Sequence, residues 1–127
     1  MKLDHFAISS NSEEDAEDFF SNLLGLEKTR SFTVSADLME KFFGVKKEQK
    51  ILRFEGTDIA AEVFINKEKN KSTDIFTHVC LAIENRDILI QKAKKRGYHF
   101  TKVPRKNSPS YYLFLKDRFG NIYEIKE

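Results

Sequence analysis

A lone histidine inside an apolar strand pattern occurs twice in this chain, in "KLDHFAIS" at His5 and in "FTHVCLAI" at His78. The two are 73 residues apart (78 − 5), and what surrounds each repeats as well. After His5 the period changes from two to about 3.6. Ser12 can cap a helix, acids fill its first turn, Ala16, Phe19, Phe20, Leu23 and Leu24 form an apolar stripe, and Gly25 stops it. After His78 comes "ENRDILIQKAKKRG", with Asn85 or Asp87 as cap and Gly97 as stop, 72 residues beyond Gly25 (97 − 25).

Three strands follow each helix. In the first half they are "RSFTVSA", Lys50–Phe54 and Ile59–Asn66, the last two joined by a turn at Glu55-Gly56-Thr57-Asp58; "DLMEKFFGV" is a short helix or turn ending near Gly44. In the second half they are "YHFTKV" and the two arms of "YYLFLKDRFGNIYEIKE", turning at Asp117–Asn121. "KEKNKSTD", Lys67–Asp74, is a polar connector. The order strand, helix, three strands, repeated, reads as an internal duplication, with modules of about 1–70 and 71–127 in one domain of 127 residues.

Both last strands carry a carboxylate in an apolar context, Glu62 in "IAAEVFI" and Glu124 in "NIYEIKE". Strand alternation puts Ala7 and Ser9 on the face of His5, and Cys80 and Ala82 on that of His78. Small neighbours leave room for a non-protein group. Singly, such a histidine is a hydrogen-bonded structural residue and such a glutamate lies on a solvated face. Jointly, two imidazoles and two carboxylates at equivalent points suit a divalent transition metal: zinc, nickel, cobalt, iron or manganese. His99 has no counterpart and reads as a surface or edge residue. Cys80 is a small filler or a reactive thiol, and Tyr112 and Phe114 line the open face or the core.

The bulk numbers exclude other classes. With 22 basic and 20 acidic residues and a net charge of +2, no electrostatic argument for nucleic acid or an anionic membrane exists. One cysteine permits no disulfide framework within the chain. With no signal-like apolar start and no run of about 20 apolar residues, a soluble cytoplasmic protein is expected.

The segments "LDHFAIS", "AEDFFSNLLGLE", "IAAEVFI", "FTHVCLAI" and "LKDRFGNIYEI" resemble the vicinal oxygen chelate superfamily, the glyoxalase/bleomycin resistance/dioxygenase group. The resemblance spans essentially the whole chain. It implies an α+β fold of two βαβββ modules forming a curved mixed sheet around a metal-containing cleft. It maps the ligands to His5, Glu62, His78 and Glu124, a set similar to that of glyoxalase I. It also implies a small-molecule substrate with neighbouring oxygens, and a homodimer whose metal is ligated within one chain or across two.

The implied chemistry is that of a lyase or isomerase, glyoxalase- or epimerase-like, moving a proton by way of an enediolate held on the metal. Glu124 or Glu62 would be the base, Glu124 first. Ser9 stands where bacterial glyoxalase I has an arginine for glutathione, whereas Asn66 matches that family's asparagine. Arg53 is a surface residue or a cation for an anionic substrate. The alternatives are a non-catalytic ligand-binding or resistance protein of this fold and, behind it, a dioxygenase or thiol transferase.

Overall fold

The computed structural model describes residues 2–68 and 71–127; Lys69 and Asn70 of the polar connector lie outside them. The chain divides after residue 70 into two compact units.

The first unit runs β1 (Phe6–Ser10), α1 (Glu13–Glu17), a π-helical continuation (Asp18–Leu23), β2 (Glu27–Val34), α2 (Ala36–Phe43), β3 (Gln49–Glu55) and β4 (Ala60–Ile65). Its sheet has the order β1-β4-β3-β2. The second unit runs β5 (His78–Ala82), α3 (Arg86–Lys95), β6 (His99–Pro104), β7 (Tyr111–Lys116) and β8 (Ile122–Lys126), in the order β5-β8-β7-β6. In each sheet the first strand lies parallel to the last and the remaining pairs are antiparallel. Both units are therefore βαβββ modules of an α+β fold, as expected from the repeated order.

Local chemistry explains the element ends. Ser12, Ser35 and Asn85 each accept a main-chain N–H three residues on and cap their helices. Gly25, Gly44 and Gly97 end them at φ of 77°, 72° and 74°, which glycine adopts without a Cβ clash. The first helix departs from the expected regular α form. One α turn passes into a π segment whose wider winding still turns Phe19, Phe20 and Leu23 inward, and all three are buried.

One face of each sheet is core. Leu52, Phe54, Ala61 and Val63 are buried in the first unit, where Phe20 stacks on Phe54 at 5.2 Å. Leu113, Leu115, Tyr123 and Ile125 are buried in the second. Each large apolar side chain so removed from water stabilises the fold by about 1.5–3 kcal/mol relative to exposure. The other faces carry the polar strand residues singled out above. No helix among the described residues is long and apolar enough to cross a membrane.

Candidate metal centre

Parallel pairing places Ala7 opposite Glu62 in the first unit and Cys80 opposite Glu124 in the second. Each histidine is two positions before the residue that faces its glutamate, so the repeat holds at the level of register. His78 opens β5, but His5 lies one residue before β1 rather than inside a first strand. Its ring is placed by its side-chain partners instead of by a ladder.

In both units the imidazole has one nitrogen anchored and the other aimed at the carboxylate. His5 Nδ1 donates to Asp4 Oδ2 at 2.8 Å, and His5 Nε2 stands 3.4 Å from Glu62 Oε2. His78 Nδ1 donates to the Phe76 carbonyl at 2.7 Å, and His78 Nε2 stands 3.5 Å from Glu124 Oε2. A carbonyl can only accept. The Asp4 carboxyl is held below the usual carboxylate range by its hydrogen bond with His5 and then by the charge of Arg53, so it too accepts. Nδ1 therefore carries a proton in each ring, and Nε2 is the nitrogen left to ligate.

At 3.4 Å and 3.5 Å the Nε2 and carboxylate atoms stand beyond good hydrogen-bond distance, a spacing that suits a cation held between them. Two ligands at about 2.0–2.2 Å from one tetrahedral zinc-like ion stand about 3.3–3.6 Å apart. The donor chemistry and the anchored Nδ1–H groups fit a divalent metal, since ligating histidines are oriented in this way. Each unit supplies two such donors. Within either unit, among the described residues, no three His, Cys, Asp or Glu side chains form one metal-holding group.

The other expected residues are dispersed. Arg53 is paired with Glu62 in the β3–β4 ladder and bonds its Oε1 through Nη1 at 3.2 Å. Ser9 pairs with Phe64 on β1, two residues beyond Ala7. Asn66 Oδ1 accepts the Glu68 N–H, and Asn66 lines a cavity of about 410 Å³ with Lys47, Lys50 and Lys67 on its wall. In the second unit Phe114 pairs with Glu124 and meets the His78 ring edge-on at 6.0 Å, whereas Tyr112 lies farther along β7 under Arg105. Cys80 is exposed, which a packing filler is not. His99 begins edge strand β6 and is exposed.

Two residues that sequence reasoning passed over prove important. Asp4 orients His5 directly. Asp74 accepts the N–H groups of Phe76 and Thr77 and the Thr77 hydroxyl, and so fixes the carbonyl that orients His78. Those three hydrogen bonds, the Thr77 N–H first, hold its carboxyl at about 2.

Comparison with known proteins agrees with this architecture. Residues 2–125 match the Glyoxalase/Bleomycin resistance protein/Dioxygenase superfamily. No curated protein sequence matches the chain. A glyoxalase family protein from Enterococcus faecalis superposes with a TM-score of 0.72 at 17% identity, over 99% of this chain and 97% of that one. The fosfomycin resistance protein FosX from Mesorhizobium loti gives 0.69 at 13%, over 98% and 89%. A mutant FosX from Listeria monocytogenes, complexed with Mn(II) and 1S,2S-dihydroxypropylphosphonic acid, gives 0.72 at 14%, over 98% and 87%. At these identities the likeness is one of fold.

Proposed function

The chain belongs to the glyoxalase/bleomycin resistance protein/dioxygenase superfamily, and from that premise we propose that it is a metal-dependent lyase or isomerase. It acts on a small oxygen-rich substrate by proton transfer. His5, Glu62, His78 and Glu124 hold one divalent transition metal, ligated within one chain or across the two chains of a homodimer. The observation that carries this reading is the repeated pair, an imidazole Nε2 facing a glutamate Oε2 at 3.4 Å and again at 3.5 Å. The Mn(II) in the FosX complex supports a divalent ion for this fold.

The ion, when bound, would polarise a substrate carbonyl and acidify the neighbouring C–H. The chain's own residues do the rest. His5 and His78 donate through Nε2 and are kept in that tautomer by Asp4 and the Phe76 carbonyl. Glu124 takes the proton from carbon and returns it. Its side chain is mostly buried and is contacted by the exposed Lys126 ammonium at 3.6 Å, a weak restraint on its swing.

A second reading, a resistance protein acting on a phosphonate, is favoured by the fold likeness to the FosX structures. Metal content of protein purified without added metal or a histidine tag, measured beside His78→Ala and Glu124→Ala, tests the site. About one transition ion per chain, lost in both variants, is expected. Wild type that stays empty after reconstitution with nickel, zinc or cobalt overturns the metal mechanism. With the site established, turnover of 2-oxoaldehyde–thiol adducts or 2-substituted acyl thioesters, against turnover of fosfomycin, separates the two readings.

A further inference from the structure

The two half-sites differ most at the position across the antiparallel ladder from each glutamate. Across the ladder from Glu62 stands Arg53; across from Glu124 stands Phe114. The Arg53 guanidinium is engaged on every side. Nε donates to Glu55 Oε1 at 2.9 Å, Nη1 donates to Glu62 Oε1 at 3.2 Å, and Nη2 lies 3.7 Å from Asp4 Oδ2. Its side chain is 15% exposed and that of Glu62 17%. A planar fork held at Nε by Glu55 gives Glu62 a fixed partner, which a flexible ammonium would not. With Oε1 tied, Oε2 stays turned toward His5 Nε2.

The second unit has no equivalent. Phe114 offers Glu124 no hydrogen bond. The cation near Glu124, Lys126, sits on the same strand with a side chain 56% exposed.

We propose that Arg53 is a positioning residue that makes the two glutamates unequal: it locks Glu62 as a static metal ligand and leaves Glu124 as the carboxylate that can swing away to carry a proton. This rests on the metal-site reading above. It also assigns Arg53 a role other than gripping an anionic substrate, because its donors already serve three carboxylates. A consequence is that proton removal and return occur on the Glu124 side of the substrate.

The test exchanges the two register positions. In the metal-free wild type, side-chain NMR relaxation of the glutamate methylenes is expected to show Glu62 ordered and Glu124 mobile. In the double variant Arg53→Phe/Phe114→Arg the order reverses. Zinc competition titrations give the second readout. Glu62→Gln is expected to weaken zinc binding about tenfold more than Glu124→Gln does in the wild-type background, and less than it in the exchanged one.

If the double variant does not fold, Arg53→Met decides, with Glu62 becoming as mobile as Glu124. Arg53→Lys, which keeps the charge and loses the fork, restores order to Glu62 only in part. Equal mobility in the metal-free wild type overturns the proposal, as does unchanged order in Arg53→Met. A wild type that binds zinc but loses affinity equally with either glutamate overturns this proposal alone. A wild type that binds no zinc overturns the metal reading and this inference with it.

Discussion

In the first unit the imidazole Nδ1–H donates to a carboxylate, that of Asp4 at 2.8 Å; in the second it donates to a main-chain carbonyl, that of Phe76 at 2.7 Å. The first arrangement is a network of charges, with Asp4, Arg53, Glu55 and Glu62 linked through one guanidinium. The second is a folded turn, with Asp74 gathering two N–H groups and a hydroxyl on either side of the peptide that bears the Phe76 carbonyl. Both deliver the same tautomer. They differ in what disturbs them: salt screens a charge network that includes an exposed Asp4, whereas the turn depends on hydrogen bonds accepted by one carboxylate and is lost when that carboxylate is protonated.

The contrast extends to the hairpin turns and can be broken most strongly there. Asp117 Oδ1 accepts the N–H groups of Phe119, Gly120 and Asn121, and Oδ2 accepts from the Asn121 amide and the Tyr123 hydroxyl. Burial nonetheless pushes its carboxyl up, and burial pushes the Tyr123 hydroxyl well up. The corresponding turn of the first unit is closed by the Gly56 N–H on the Ile59 carbonyl, with Asp58 exposed. Asp117→Ala is expected to cost roughly 3 kcal/mol, and Asp58→Ala less than about 0.5 kcal/mol, in urea midpoints at constant slope. Equal losses would mean that the second hairpin does not depend on its aspartate.

A smaller effect sharpens the difference between the histidine anchors. Asp4→Asn removes the anionic acceptor from His5 and should weaken zinc binding about tenfold in a competition titration. No change would mean that Asp4 does not tune Nε2.

The smallest effect is one of pH. The Asp74 carboxyl lies at about 2 in the fold, against 3.8 ordinarily. A depressed carboxylate stabilises the fold above its unfolded value and loses that contribution as pH falls through its folded one. Wild-type stability should therefore fall more steeply than that of Asp74→Asn between about pH 4 and pH 2. Parallel urea-midpoint profiles would show that Asp74 is not the group responsible.

The order of elements was readable in the sequence because period and punctuation agree. Apolar residues alternate in the strands, the helical stripe begins after Ser12 and Asn85, and glycines stand where left-handed φ ends the helices. The His/Glu pairs were readable because the duplication shows each one twice. The Arg53 tether was not, since it depends on register. Tight closure of the predicted turn, with Glu55 facing Asp58, would pair Arg53 with Ala60. The observed loop of residues 56–59 faces Glu55 with Ala60 and so brings Arg53 to Glu62. Asp4 and Asp74 were legible in principle, one adjacent to a histidine and the other opening an Asp-x-x-Thr turn, but an anchoring aspartate differs from a solvated one only in the folded chain.

The parallel pairing of first strand with last also gives each donor pair the longest loop of its module. His5 and Glu62 are 57 residues apart along the chain (62 − 5), and His78 and Glu124 are 46 apart (124 − 78). The β3–β4 and β7–β8 hairpins close over short loops, but each donor pair forms only when a module's longest excursion is closed, at the greatest loop entropy. An ion meeting the chain before that closure finds single imidazoles and single carboxylates, which hold it weakly. After closure, on the metal reading proposed above, it would find a bidentate grip whose entropy of ordering has already been met by the fold.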